Sequence, residues 1–233
     1  MLTLPIRDVA PATPRARIVR LALEGRLFDY RAGQAIVVGP ADGRGAKPYS
    51  IAVSPREARS TGSLELLVGL DAGGSPGPQW GALEPGQLMQ VEGPFGSFHL
   101  PAGPLEQDLL FVAGGTGIAP LRAMLRDALD RGHARIALVY SARTADDFAY
   151  GDELRGLADS GRIRLWQTVT REPAEAWTGE RGRIALHHLQ ELVRHAPTLC
   201  YVCGPHALVE DVPRLLSRAG VAPESIRVED WSG

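Results

Sequence analysis

The sequence predicts two domains of different fold class: an N-terminal six-stranded antiparallel β barrel over residues 1–103, and a C-terminal α/β domain, a doubly wound parallel sheet of about five strands, over residues 104–233. Three observations carry this expectation. The first hundred residues are short β-branched or alternating runs divided by Gly/Pro punctuation, with no helix-period stretch of useful length among them. From about residue 104 such runs alternate with helix-period segments, the pattern of a parallel sheet covered on both faces. A content of 27 glycines and 18 prolines exceeds ordinary usage, as many tight turns require.

In the first domain, residues 16–25 (ARIVRLALEG), 34–40 (QAIVVGP), 49–54 (YSIAVS), 63–70 (SLELLVGL) and 87–93 (QLMQVEG) each read as a strand, and residues 2–10 add a sixth. Strands this short and closely spaced suit a small barrel. Residues 101–107 (PAGPLEQ) form the joint. In the second domain DLLFVAG (108–114) is a buried-strand run, and residues 120–131 follow with Leu121, Met124, Leu125 and Ala128 at helical spacing. Strands at 134–141 and 162–170 flank a helix at 150–158. A helix at 186–195, a strand at 198–204, a helix at 206–218 and a strand at 226–231 complete the alternation.

Composition narrows the function. With 44% hydrophobic and 22% charged residues the chain is an ordinary globular one, not a disordered or fibrous one. A net charge of −2 with no basic block argues against a nucleic-acid partner. No apolar run approaches the ~18–20 residues that span a bilayer, so no membrane insertion is expected. The N-terminus lacks the charged start and apolar run of a signal peptide, so a cytoplasmic location is expected. Cys200 and Cys203 have C-x-x-C spacing, but residues three apart on a strand point to opposite faces. With no second ligand pair they suggest neither a zinc site nor a redox pair, and no metal is expected.

Residues 111–125 (FVAGGTGIAPLRAML) hold the sharpest local signal. A buried strand ends at Ala113, then Gly114, Gly115, Thr116 and Gly117 lead into a helix with Pro120 near its first turn, where N–H groups have no intrahelical partner to lose. Those N–H groups and the positive helix end suit an anion, and glycines let a phosphate approach the backbone. The run departs from the G-x-G-x-x-G dinucleotide pattern where Pro120 replaces the third glycine. In an open α/β sheet ligands lie beyond the carboxyl ends of the strands. There the second strand places Ser141 and Arg143, which favour a phosphorylated nicotinamide cofactor, while Asp146 and Asp147 nearby would suit a ribose diol. The fourth strand ends in Cys203-Gly204-Pro205, with Cys203 expected to face the crevice.

Four motifs, in order along nearly the whole chain, give it a resemblance to the ferredoxin–NADP reductase superfamily of flavoproteins. Lys47-Pro48-Tyr49-Ser50 resembles that family's R-x-Y-S flavin motif, and Gly93-Pro94-Phe95-Gly96 its G-P-x-G element. Residues 114–120 match its G-G-T-G-I-A-P turn, and Cys203-Gly204-Pro205 its C-G-P motif. The wording is nearest to the oxygenase-reductase and flavin-reductase branch, without the iron–sulfur domain, whose cluster needs at least four cysteines. The resemblance implies that Tyr49 stacks on the flavin ring and that Ser50 hydrogen-bonds near its N5 atom. It implies that Lys47 stands where an arginine neutralises flavin phosphates, keeping the charge without the bidentate fork. It further implies a second phosphate segment at residues 73–77, including Gly74. At the C-terminus it implies an acid, Glu229, near the reacting centre and an aromatic, Trp231, near the flavin.

The function so implied is a flavin-dependent oxidoreductase taking hydride from NAD(P)H to FAD, or to FMN. Ser50, Cys203 and Glu229 are its candidate catalytic residues. Electrons would pass to a separate acceptor such as a ferredoxin or an oxygenase component, with NADPH favoured over NADH. Two other readings stay open: a reductase using free flavin as substrate, and a non-catalytic electron-transfer component of a larger complex.

Overall fold

The computed structural model describes residues 1–42, 45–71, 83–103, 107–172, 176–193 and 198–230. The first domain is a six-stranded antiparallel sheet of β1 (Leu2–Thr13), β2 (Ala16–Ala22), β3 (Ala35–Pro40), β4 (Lys47–Ser50), β5 (Ser63–Gly69) and β6 (Leu88–Phe95). Its order is β4-β3-β6-β1-β2-β5, and a bridge between Ile51 and Leu66 brings the two edges together, as a barrel requires. Alternation does the rest: Leu4, Ile6, Val19, Leu21, Ile36 and Val91 point inward to a common apolar core.

One helix was not foreseen here. α1 (Pro55–Thr61) has only Ala58 buried, so it carries no apolar stripe for a periodicity argument to find. Its signal is in the caps. Ser54 and Glu57 form a reciprocal capping box, Pro55 opens the first turn, and Gly62 closes the helix at φ +66°.

The second domain alternates β7 (Asp108–Gly114), α2 (Ile118–Asp130), β8 (Ile136–Ala142), α3 (Gly151–Asp159), β9 (Arg164–Val169), β10 (Glu180–Arg181), α4 (Leu186–Val193), β11 (Thr198–Gly204), α5 (His206–Arg218) and β12 (Ile226–Asp230). The sheet has six strands rather than about five, in the order β10-β9-β8-β7-β11-β12, and every pairing is parallel. The additional strand, β10, is two exposed residues at the sheet edge, too short to show alternation. Strands step one way along the sheet from β7 to β10 and the other way from β7 to β12, so the crevice at the carboxyl end of β7 is where a ligand belongs.

Both faces of this sheet are covered. Leu109, Phe111 and Ala113 of β7 pack on the α2 and α3 side, and Leu110 and Val112 on the α4 and α5 side. The cysteines part in the same way: Cys203 joins the first cluster and Cys200 the second. Burial pushes the Cys200 thiol up to about 12. The first cluster also takes in Ala16, Ala52, Leu67, Phe98 and Leu100 of the barrel, so the two domains share one core. Among the described residues no helix is long and apolar enough to cross a membrane.

Ser54 is fully buried, and its hydroxyl accepts from the Glu57 amide at 3.1 Å. Ser54→Ala is expected to lower stability by about 1–2 kcal/mol, the cost of an N-cap removed, while leaving the circular dichroism spectrum unchanged. Equilibrium urea denaturation measures it, and an unchanged midpoint would contradict the role given to the cap.

Candidate active site

Between the domains runs a cleft of about 1320 Å³. Lys47, Pro48, Tyr49 and Ser50 line it from the barrel, with Gly114, Gly115, Thr116 and Gly117 opposite. Ser141, Arg143, Gly204 and Pro205 line it from the ends of β8 and β11, so the cleft brings together motifs far apart in sequence.

The glycines of the two sheet-end motifs have a shared cause. A Cβ on Gly117 would stand 2.3 Å from the Cys203 carbonyl oxygen and 2.7 Å from the Gly204 Cα. One on Gly114 would meet Pro205 Cδ and Leu208 Cδ1 at 2.8 Å, and one on Gly204 would lie 3.0 Å from Gly114 Cα. The ends of β7 and β11 therefore touch backbone to backbone. Gly117 is required by that contact, and it also lines the cleft. Gly115 differs: its φ is +53° and nothing lies within 4 Å of its Cβ position. It is partly exposed beside Thr116, at a 3₁₀ turn (Gly115–Gly117) that runs into α2, and no side chain caps either helix start. This open, uncapped stretch fits a diphosphate. Pro120 is buried in the first turn of α2.

On the barrel side Lys47 is exposed and forms no ion pair with any described residue. Tyr49 is half-buried, and burial raises its phenol above the ordinary value. Ser50 is 7% exposed, and its hydroxyl donates to Glu229 Oε2 at 3.4 Å, across 179 residues and the domain boundary. A neutral hydroxyl, a half-buried aromatic and an available ammonium suit a planar ring bearing phosphates. The residues fit a flavin nucleotide.

Cys203 departs from expectation. It is fully buried in the core with Ala113, Ile118 and Tyr201, and it does not line the cleft. Alternation along β11 turns its side chain inward, and only its carbonyl meets the glycine turn. Gly74 and Trp231 lie outside the described residues.

At the other end of the cleft Arg143 is exposed, joined by Arg171 and Arg183. Asp147 is buried instead. It accepts from the Thr144 amide and hydroxyl at 3.1 and 2.8 Å and pairs with Arg15 from the barrel. All three contacts fall on Oδ2, and Asp147 lines the cleft, which exposed Asp146 does not. Arg15, Arg171 and Arg183 are cleft residues that sequence reading passed over. The strand-end rule applied to β9 would have found Arg171, because it follows Val169 by two residues. Arg15 needs the tertiary structure.

Glu180, His187 and His188 bring ligand atoms within 4.8 Å of one another, which the sequence spacing had not suggested. His188 Nδ1 accepts from the Ala185 amide at 2.9 Å. The proton of the neutral ring therefore sits on Nε2, the nitrogen 3.5 Å from Glu180, and that atom has no lone pair for a cation.

Two family descriptions match the chain: Oxidoreductase FAD-binding domain over residues 4–100 and Oxidoreductase NAD-binding domain over residues 111–214. Ferredoxin--NADP reductase B of Sorangium cellulosum is 35% identical over 215 residues, covering 90% of this chain and 85% of its own length. One component of the Na(+)-translocating NADH-quinone reductase of Yersinia enterocolitica is 32% identical over 160 residues, covering 65% of this chain. The match takes in only 39% of that relative's length. Among solved structures, the Amycolatopsis cytochrome P450 reductase GcoB superposes with a TM-score of 0.86 at 27% identity, over 99% of this chain and 69% of its own. The FAD/NAD binding domain of a Vibrio cholerae nitric oxide dioxygenase gives a TM-score of 0.83 at 20% identity over 98% of each chain, a likeness of fold.

The two glycine environments predict different phenotypes. Gly117→Ala forces a Cβ onto backbone atoms and is expected to lose about 1–3 kcal/mol of stability, read as a lowered melting temperature. Gly115→Ala meets no neighbour but is strained at φ +53°, so a loss of about 1 kcal/mol of stability is expected together with a fall in nicotinamide-nucleotide affinity, read by titration calorimetry. A Gly117→Ala protein as stable as wild type, or a Gly115→Ala protein of unchanged nucleotide affinity, would contradict this assignment.

Proposed function

The chain belongs to the ferredoxin reductase-like superfamily of FAD- and NAD(P)-binding oxidoreductases, and on that premise we propose that it is an NADPH-dependent reductase serving a separate acceptor protein, of the ferredoxin or oxygenase-component kind. Residues 1–103 hold the flavin and residues 104–233 the nicotinamide nucleotide. The observation that carries this reading is the Ser50–Glu229 contact. It sets the end of β4 against the end of β12 inside the cleft that also holds the glycine turn.

When bound, FAD supplies an acceptor for hydride and a donor to the next carrier. The protein's own residues bind and orient. Tyr49 offers a half-buried aromatic face, and Lys47 a point charge toward phosphate. Ser50, 7% exposed, directs its hydroxyl at Glu229 Oε2 at 3.4 Å. Gly115 and the start of α2 receive the diphosphate of the second nucleotide.

Arg143 and Arg171 support NADPH over NADH, since a 2′-phosphate wants guanidinium groups, while Arg183 lies 3.7 Å from Asp211. The name of the Sorangium relative agrees with NADPH, and that of the Yersinia relative with NADH. The exposed Lys47, without an ion-pair partner among the described residues, favours a second reading, in which free flavin is a substrate that comes and goes. The absorbance spectrum of purified protein after gel filtration, followed by NADPH and NADH titration, separates the readings. Yellow protein bleached by NADPH supports the first. Colourless protein that reduces added FMN supports the second. Protein that oxidises neither nucleotide with any artificial acceptor is a non-catalytic component.

Two substitutions test the parts. Lys47→Ala is expected to lose flavin on dialysis and Lys47→Arg to retain it better, and equal flavin content in all three proteins would remove Lys47 from the site. Arg143→Ala is expected to abolish an NADPH preference of about ten- to a hundredfold in kcat/KM, the worth of one charge-assisted bond of ~1.5–3 kcal/mol, with NADH turnover little changed. Steady-state kinetics with both nucleotides checks this, and a wild type favouring NADH tenfold would overturn it.

A further inference from the structure

A buried charge cluster lies behind the cleft, and neither domain supplies it alone. Its centre is Arg122, 8% exposed, on α2 two residues beyond Pro120. Its Nη1 donates to the Ala52 carbonyl at 2.7 Å, and Ala52 stands two residues beyond Ser50. Its Nε donates to Glu153 of α3 at 2.8 Å, and its Nη2 lies 3.5 Å from Glu57 of α1. Arg126, one turn on, donates to the same Glu57 oxygen at 3.0 Å. Glu65 of β5 accepts from Arg20 at 2.8 Å and from the Tyr150 hydroxyl at 3.0 Å, and the Tyr150 ring lies 4.6 Å from the Arg122 guanidinium carbon. Tyr150 adopts φ +59°, a left-handed conformation uncommon for a bulky residue and held here by this packing.

Burial works against the Arg122 charge, but Glu153 and Glu57 outweigh it and hold the guanidinium above its ordinary value. Arg20, Arg122 and Arg126 face Glu57, Glu65 and Glu153, and Arg20 also pairs with Asp8 at 2.7 Å. Opposed charges held partly or wholly out of water add little net stability, so their distinctive effect is geometric. The planar fork of arginine fixes several partners at once in a way that a point charge does not.

We propose that Arg122 is a positioning residue that sets the separation between the Tyr49–Ser50 end of the barrel and the nucleotide turn at residues 114–120. The inference rests on the function proposed above. In the step it would serve, a bound dihydronicotinamide would give up its C4 hydrogen with both bonding electrons and a bound flavin would take them at N5, one oxidised and the other reduced by two electrons. Arg122 touches neither reactant. It holds the two halves of the site at the separation over which the hydride moves, and an error of about 1 Å in such a distance costs on the order of a hundredfold in rate.

The test uses the flavin-loaded full chain and the variants Arg122→Lys and Glu57→Gln. Glutamine still completes the capping box of α1 while lacking the charge. Both variants are expected to keep wild-type flavin content and an NADPH KM within about threefold. Single-turnover flavin reduction is expected to fall about ten- to a hundredfold. The long-wavelength charge-transfer absorbance between reduced flavin and NADP⁺, which reports stacking rather than turnover, is expected to weaken in parallel. A folded, flavin-loaded variant reduced at the wild-type rate overturns the proposal, as does a loss expressed wholly in KM. Should Arg122→Lys fail to fold, Glu57→Gln decides alone. If wild-type protein is not reduced by either nucleotide, the functional reading fails; if wild type is reduced and the variants match it, only the role of Arg122 fails.

Discussion

The contact on which the cleft depends is the meeting of β7 and β11 at their carboxyl ends, close enough that no Cβ fits between Gly114, Gly117 and Gly204. Parallel neighbouring strands diverge into a helix on one side and a helix on the other, and the crevice exists only where their ends separate. Here the contact continues past the end of β7, since Gly117 still lies against the Cys203 carbonyl. That draws the start of α2 down onto the sheet and leaves Gly115 and Thr116 as the exposed rim. Two motifs that look independent in sequence are thus the two sides of one contact.

Adhesion and alignment of the domains are separate physical jobs in this molecule. Adhesion is apolar: barrel residues such as Phe98, Leu100 and Leu67 enter the same core as β7 and α2, and Phe98 meets Tyr201 edge-on at 5.4 Å. Apolar contact is non-directional and tolerates sliding. Alignment comes from polar groups that accept one geometry: the Tyr201 hydroxyl on the His99 carbonyl at 3.0 Å, Arg15 on Asp147, and the carboxylates around α2. The site lies between the two kinds of contact, with half of its residues on either body.

Much of this was legible in the sequence because periodicity and glycine are strong signals. The switch from alternating runs to strand–helix units near residue 104 comes from buried faces of period two and 3.6, and both fold classes follow from it. The motifs at Lys47–Ser50, at residues 114–120 and at Cys203-Gly204-Pro205 were legible because each residue type there has a narrow steric or chemical use. What escaped was short or long-range. α1 and β10 are too brief to show a period. The Arg15–Asp147 pair joins residues 132 apart, and the partners of Arg122 lie 31 to 70 residues away, so no window of sequence contains them. The Cys203 side chain was misplaced because the motif's position at the strand end was read as exposure, whereas strand alternation points it into the core.

The division of Cys200 and Cys203 between opposite faces of the sheet has a chemical outcome of its own. Thiolate is the species that peroxide oxidises and that electrophiles alkylate. With its thiol pushed up to about 12 by burial, Cys200 stays protonated at neutral pH, and Cys203 is fully buried in the core on the other face of the sheet. The sheet itself lies between the two sulfurs, so they cannot close a disulfide without unfolding the strand that carries them. Both thiols of this oxidoreductase are thus kept apart from each other and from the cleft.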